Sequence, residues 1–268
     1  MIIYKSDGSQ IDIKSYGLRF LKVEIPSPSL TYTRETVDGQ DGDIVLDSRY
    51  ENRPIVPELF YRSKDIEDYY LLASELNRLF ATKEAFYVVF PREPHKRWLV
   101  RLAEAFKLNK INSKRGTLNL EFITESPFAE SVGTTLNPLT FESDVWGVGM
   151  GIKADDVKYV HSTNTFQIYN PGDIPVDPRK HHLVISFKGA STSLKIKNDT
   201  TGEEWSYTPS TVPTDIIGIN GIRSLKNGTS IFKDTNKKLI TIQPGWNDFT
   251  VTGATDFEIS FDFRFYYL

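Results

Sequence analysis

Phe257-Glu258-Ile259-Ser260-Phe261-Asp262-Phe263-Arg264-Phe265-Tyr266-Tyr267 is the stretch that decides the fold class. Phe257, Ile259, Phe261, Phe263, Phe265 and Tyr267 fall on one side of an extended chain; Glu258, Ser260, Asp262 and Arg264 fall on the other. That two-residue period marks a strand with one face in a core and one in water. Working back along the chain, shorter runs of the same kind recur at Phe166/Ile168, Leu183/Ile185/Phe187, Leu194/Ile196 and Ile240/Ile242. Asp199-Thr200-Thr201-Gly202 separates Leu194–Lys197 from Glu204–Tyr207, and Asn227-Gly228 between Ile222–Leu225 and Ser230–Phe232 is a two-residue hairpin signal. Most of the 17 glycines lie beyond residue 130, where no long helical pattern exists. Short strands at this spacing predict an antiparallel sandwich.

The period changes upstream. In Ser63–Phe80, Ile66, Tyr69, Leu72, Ala73, Leu76, Leu79 and Phe80 recur at three and four, with Ser63 placed to cap and Asp65, Glu67 and Asp68 in the first turn. This is the one convincing helix. Phe86–Phe90 and Thr117–Ile123 read as strands, while Trp98–Phe106 supports either a strand or a short helix. Asp43–Leu46 and Ile55–Phe60 read as strands whose Pro54 and Pro57 argue for edges or irregular pairing. The turn residues Asp38-Gly39 and Asp41-Gly42, beside Arg34, Arg49 and Arg53, predict an extended loop or hairpin projecting from a compact body. Pro127, Gly133 and Pro138 break the pattern between the two parts. The expected domains are therefore 1–130, mixed α+β, and 131–268, wholly β.

Composition narrows the function classes. A chain of 268 residues with 13% aromatics has ample material for real cores. The formal net charge of −3 gives no global reason to expect nucleic acid or an anionic membrane. Without cysteine there is no disulfide framework, thiol nucleophile or Cys-ligated metal. No apolar signal segment follows Met1, and no window approaches the ~18 apolar residues of a membrane helix.

The sequence carries no complete catalytic or cofactor motif. Gly147-Val148-Gly149-Met150-Gly151 has the wrong spacing for a dinucleotide fingerprint, and no helix follows it. A calcium loop begun at Asp38 or Asp41 puts Arg49 or Asn52 where a bidentate carboxylate is required. His181 and His182 are adjacent and would point to opposite faces of a strand; His95 and His161 stand apart from them. The nucleophile-elbow pattern is absent. Asp155/Asp156 and Glu203/Glu204 would serve hydrolysis only if the fold set two carboxyls across a cleft. Trp146, Trp205 and Trp246 would suit sugar stacking if exposed; core packing is the ordinary use of aromatics in a sandwich. The expectation is no enzyme, no catalytic residue, no metal and no cofactor.

One charge feature stands out. Residues 92–115 carry Arg92, Lys96, Arg97, Arg101, Lys107, Lys110, Lys114 and Arg115 against Glu93 and Glu104, while the rest of the first domain is net acidic. A subunit interface in which a basic edge meets a neighbour's acidic edge accounts for that separation; nucleic-acid contact and an ordinary solvated face are the alternatives. Candidate interface residues are Asp38, Asp41, Asp43, Arg49 and Arg53 in the projecting segment and Arg92, Lys96, Arg97 and Arg101 in the basic run.

Taken in order, Thr36–Asp43, Arg53-Pro54-Ile55, the Lys64–Phe80 helix, Glu125–Ala129, Asn170–Asp173, Gln243–Asn247 and Phe261–Leu268 resemble the distal tail proteins of long-tailed siphophages, also called the siphovirus tail component family. The resemblance implies an N-terminal ring-forming domain and a C-terminal galectin-like or carbohydrate-module-like β-sandwich. It also implies a structural, hexameric hub between tail tube and tail tip or baseplate, with a channel that DNA traverses without specific recognition. The implied partners are other copies of the chain, the tail-tube protein, tail-tip or baseplate proteins, and a glycan or receptor-binding protein, with no membrane insertion. The implied location is the tail tip of a virion or a prophage-encoded tail, after synthesis in the bacterial cytoplasm. A carbohydrate-binding accessory protein and a carbohydrate-active hydrolase are the other readings of the same residues.

Overall fold

The computed structural model describes residues 1–39, 41–140, 145–152 and 157–268. Gln40 and the Asp155/Asp156 pair considered for hydrolysis lie outside the described residues. The chain is mainly β with one principal helix, and it divides into two compact units, Met1–Ala129 with Leu268, and Glu130–Tyr267.

In the first unit the strands are β1 (Ile2–Tyr4), β2 (Gln10–Asp12), β3 (Leu18–Glu24), β4 (Leu30–Thr36), β5 (Asp43–Tyr50), β6 (Pro54–Arg62), β7 (Phe86–Val89), β8 (Lys96–Leu102), β9 (Leu108–Asn112), β10 (Arg115–Asn119) and β11 (Phe122–Thr124). Helix α1 (Ile66–Phe80) lies between β6 and β7. The sheet order runs β2-β1-β7-β8-β11-β6-β10-β9, with β3 on the other side of β6. Trp98–Leu102 is thus strand, not helix, for it carries the ladders to β7 and β11.

Two local expectations change. Asp65, not Ser63, caps α1: its carboxylate accepts the Asp68 N–H at 2.8 Å, while the Ser63 N–H donates to the Lys114 carbonyl oxygen. The second change concerns β6, which is an inner strand despite its prolines. Pro54 opens it, and Pro57 lies where one side of β6 passes from β11 to β10. There the Pro57 carbonyl accepts the Leu120 N–H at 3.1 Å, and the missing prolyl N–H falls at a break between two ladders. Leu72, Leu76, Leu79 and Phe80 of α1 bury against Leu59, Tyr61, Phe86, Val100, Leu118, Leu120 and Phe122. Gly116 is required in that core: a Cβ there would lie 2.0 Å from the Asn109 carbonyl oxygen.

The second unit is built on two long strands, Leu183–Asn198 and Gly245–Phe263. Their register shifts between Gly189 and Lys195, so Leu183–Gly189 pairs with Phe257–Phe263 and Lys195–Asn198 with Phe249–Thr252. Gly253 sits at that bend with φ +84°, and a Cβ there would come within 2.5 Å of the Thr192 carbonyl oxygen. Thr165–Asn170 and Glu203–Tyr207 extend one half; Ile216–Asn220, Arg223–Lys226 and Thr229–Ser230 extend the other. Asn227 and Gly228 both have positive φ, the backbone of the two-residue hairpin turn. All six apolar residues of the final alternation are buried; the strand ends at Phe263, and Tyr266–Tyr267 resumes pairing after Arg264.

Phe263 packs edge-on to Tyr159 and Phe265. Phe263→Ala is expected to cost ~3–5 kcal/mol in equilibrium unfolding, because the ring leaves a cavity that its neighbours fill only in part. A loss below ~0.5 kcal/mol would contradict that burial. A second expectation concerns acid. His181 stacks on Tyr266, and its Nδ1 accepts the Asp177 N–H at 3.2 Å. Burial holds its pKa below the ordinary value, opposed by the Pro175 carbonyl, Asp177 and Glu130 and assisted by Lys180. The unfolded chain therefore takes up this proton more readily, so the contribution is complete above about pH 6.5 and declines as pH falls below it. Thermal unfolding of the parent should weaken between about pH 7.5 and 5.5, and His181→Gln should flatten that dependence. An equal slope in both would contradict the assignment.

Candidate functional site

Strands β4 and β5 pair with each other alone, from Leu30 opposite Tyr50 to Thr36 opposite Asp43. Every residue of both strands is exposed. A register shift between Thr33 and Arg34 leaves Leu46 without a partner, the two-against-one pattern of a bulge, which twists the ribbon. Leu30, Tyr32, Ile44, Val45 and Leu46 all show large apolar surface, with Leu46 58% exposed. At the tip Gly39 and Gly42 have positive φ, and Thr36 Oγ1 donates to Asp43 Oδ1 at 3.2 Å. The projecting segment is thus a hairpin, with Asp38, Asp41 and Asp43 gathered at its exposed tip and Arg49 exposed toward its base beside Glu51.

Arg53 is different from the other candidates, being only 7% exposed. Its guanidinium lies 4.9 Å from the Trp98 ring and its Nε donates to the Pro26 carbonyl oxygen at 3.0 Å. Its backbone exchanges two hydrogen bonds with Thr124, Arg53 N–H to Oγ1 and Thr124 N–H to the Arg53 carbonyl. Pro26 enters the hairpin and Arg53 leaves it, so one side chain ties both legs to the β8–β11 sheet. Burial lowers the Arg53 pKa, partly offset by the Glu93 carboxylate. Arg53 NH1 is buried without a partner among the described residues. The Tyr50 ring adds an edge contact to Phe128 at 5.5 Å.

The basic run does not form one surface. Lys96, Arg97 and Arg101 lie on inner strand β8, and alternation puts Lys96 on the face opposite Arg97 and Arg101. Lys96 is 3.5 Å from Glu93, the Arg97 guanidinium stands 3.9 Å from the Tyr87 ring, and Arg101 binds Glu125 and the Lys83 carbonyl. Arg92 is exposed in the preceding turn. Lys110 lies instead on β9, an edge of the sheet, with Lys107 just before it, Lys114 in the turn after it and Arg115 opening β10; Lys110 is 3.9 Å from the Tyr69 ring. The structure leaves Ile66, Tyr70 and Leu71 of α1 exposed, although the sequence pattern set Ile66 on the buried stripe, and it exposes Ile111 of β9 as well. The adjacent pairs Tyr69-Tyr70 and Leu71-Leu72 were the available signal, because a one-faced helix does not place apolar residues side by side.

Among the described residues no group of three or more His, Asp or Glu could hold a metal ion. Among the described residues no helix is long and apolar enough to cross a membrane.

Residues 6–124 match the family model of the phage tail protein RIFT-related domain. The fold resembles that of the SPP1 Dit protein, described as a paradigm of the hub adsorption apparatus in phages infecting Gram-positive hosts. That likeness has 15% identity, a TM-score of 0.72, and covers 98% of each chain. It also resembles a chain of the phage p2 baseplate in its activated conformation with Sr, at 12% identity and TM-score 0.50, over 98% of this chain and 96% of that one. No curated protein matches the sequence. The match to the phage tail family thus lies in residues 6–124, and the likeness to the solved structures is one of fold over the whole chain.

Replacing Arg53 by Ala should free the hairpin base. Amide exchange through Leu30–Tyr50 should quicken and unfolding stability fall by ~1–3 kcal/mol, the usual cost of breaking a buried polar contact set. Unchanged exchange in those strands would show that Trp98 and Pro26 do not anchor the hairpin through Arg53.

Proposed function

We propose that this chain is a distal tail hub subunit: copies close into a hexameric ring between tail tube and tail tip or baseplate, around a channel through which DNA passes. The observation that carries the reading is the likeness of fold to the SPP1 Dit protein over 98% of both chains. The family match to a phage tail domain across residues 6–124 supports it independently of that likeness. The first domain, 1–130, makes the ring in this reading, and the second, 131–268, faces peripheral tail-tip components. The location is accordingly the tail tip of a virion or prophage-encoded tail.

Physical chemistry favours the hairpin as the contact. A two-stranded ribbon is marginal in water by itself, and this one offers apolar side chains and a carboxylate-rich tip to whatever covers it. A head-to-tail contact repeated around a closed ring uses two different patches on each copy. The acidic tip with Asp38, Asp41 and Asp43 is one; Arg92, exposed in the turn before β8, and the half-exposed Arg97 of β8 are the other. Arg53 takes part from inside, by setting the direction of the hairpin. DNA contact needs no base-reading groups here, because the channel only has to admit the duplex.

Charge exchange tests the pairing. Asp38→Lys with Asp43→Lys should reduce incorporation into tails about tenfold, and so should Arg92→Glu with Arg97→Glu. All four changes together should recover much of the loss if the two patches meet. Each variant's unfolding midpoint should match the parent's. Full incorporation of both double variants would contradict the contact assignment, and a chain absent from the ring position in assembled tails would contradict the function.

A further inference from the structure

On one outer face of the second unit, Thr165–Asn170 pairs with the start of Gly245–Phe263 in an unbroken register. Tyr169 stands opposite Trp246, Gln167 opposite Asp248, and Thr165 opposite Thr250. The alternate residues Ile168, Asn247, Phe249 and Val251 are buried, so these three pairs point outward together. Trp98, Trp146 and Trp205 are buried in their units; Trp246 is 40% exposed. Its ring lies 4.8 Å from that of Tyr169.

The aromatic pair is held in place. Asn247, wholly buried, donates through Nδ2 to the Gln243 carbonyl at 2.7 Å and accepts the Gln243 N–H through Oδ1 at 2.8 Å. Asn198 braces it from the next strand at 3.2 Å. The turn that presents Trp246 is thus fixed by a buried amide network rather than by packing of the indole. One row along the strands, ~7 Å away by strand geometry, Gln167 Nε2 donates to Asp248 Oδ1 at 2.8 Å, and the Asp248 N–H is held by Thr200 Oγ1. A row further, Thr250 Oγ1 donates to Asp199, which also pairs with Lys197 at 2.7 Å. Gln167 Oε1, Asp248 Oδ2 and Trp246 Nε1 have no protein partner among the described residues.

We propose that this face binds a neutral saccharide, with the apolar C–H face of one pyranose on Trp246, the Tyr169 ring inclined beside it, and its hydroxyls on Gln167 and Asp248. An exposed, rigidly held aromatic beside fixed donors and acceptors matches a ligand that is apolar on one side and hydroxylated around its rim. A protein hot spot would need a wider apolar area, and Trp246 is the one large apolar side chain exposed on these rows. Phosphate-bearing ligands are disfavoured because Asp199 and Asp248 are carboxylates on these rows and the neighbouring Lys197 is already paired with Asp199. The site is independent of ring formation by the first domain.

The test uses the full chain labelled with 5-fluorotryptophan, which has four tryptophans, with Trp246→Phe assigning the signal. Lactose, maltotriose, cellotriose and tri-N-acetylglucosamine are each titrated to about 20 mM, well above the millimolar affinity expected of so shallow a site. At least one should move the Trp246 signal saturably and leave the other three in place. By saturation-transfer NMR of the sugar, Trp246→Ala should weaken binding at least about tenfold and Asp248→Ala about threefold, with unchanged unfolding midpoints. A Trp246 signal unmoved by every saccharide overturns the proposal, as does binding undiminished in Trp246→Ala. A signal that moves only when the chain enters an assembled tail assigns the face to a protein contact and also overturns it.

Discussion

Two antiparallel strands have no interior to share, and every residue of β4 and β5 is exposed. Such a ribbon gains little from its own cross-strand pairs, so its persistence and direction depend on what happens at its base. Here the base is a cation on an indole: Arg53 lies over Trp98, takes Pro26 as an acceptor and locks its backbone to Thr124. Trp98 is itself a core residue of the sheet. The rigidity of a buried sheet is thereby passed to an exposed arm, as the proposed ring contact requires. The apolar residues along the arm are a liability for a free monomer and a resource for an assembly.

The second unit solves a different problem. Its long strands serve two sheet segments each, and the change of segment falls at the register shifts near Gly189 and Gly253. Stacked aromatic rings, Phe166 on Phe249 and Phe187 on Phe257, fill the inner faces. Because the core is supplied by inward positions alone, the outer positions are free to vary with function, and one of them holds Trp246.

Legibility followed the range of the interactions. The final alternation and the α1 pattern were readable because strand and helix burial is dictated by residues two, three or four apart. Asn227-Gly228 was readable because the turn itself demands positive φ. Ser63 was misjudged as the cap because the Lys114 carbonyl, distant in sequence, takes both its hydroxyl and its N–H, and it is the Asp65 carboxylate that reaches the Asp68 N–H. The edge reading of β6 failed because the gap that accommodates Pro57 is made by two other strands. Arg53 looked like one more exposed arginine; only the proximity of Trp98 and Pro26 reveals an anchor. The basic run looked continuous because the turn between β8 and β9 is silent about which edge each side faces. Of three second-domain tryptophans, nothing local distinguished Trp246 from the buried Trp146 and Trp205.

The central claim is that the first domain closes a ring through its arm. Electron cryo-microscopy of the intact tail tip bears on it most directly, because it reads copy number, position and contact together. The account expects hexameric symmetry about a through-channel, with each β4–β5 hairpin lying against the adjacent copy. Copies placed at the periphery, with the hairpin in solvent and no closed ring, would contradict it.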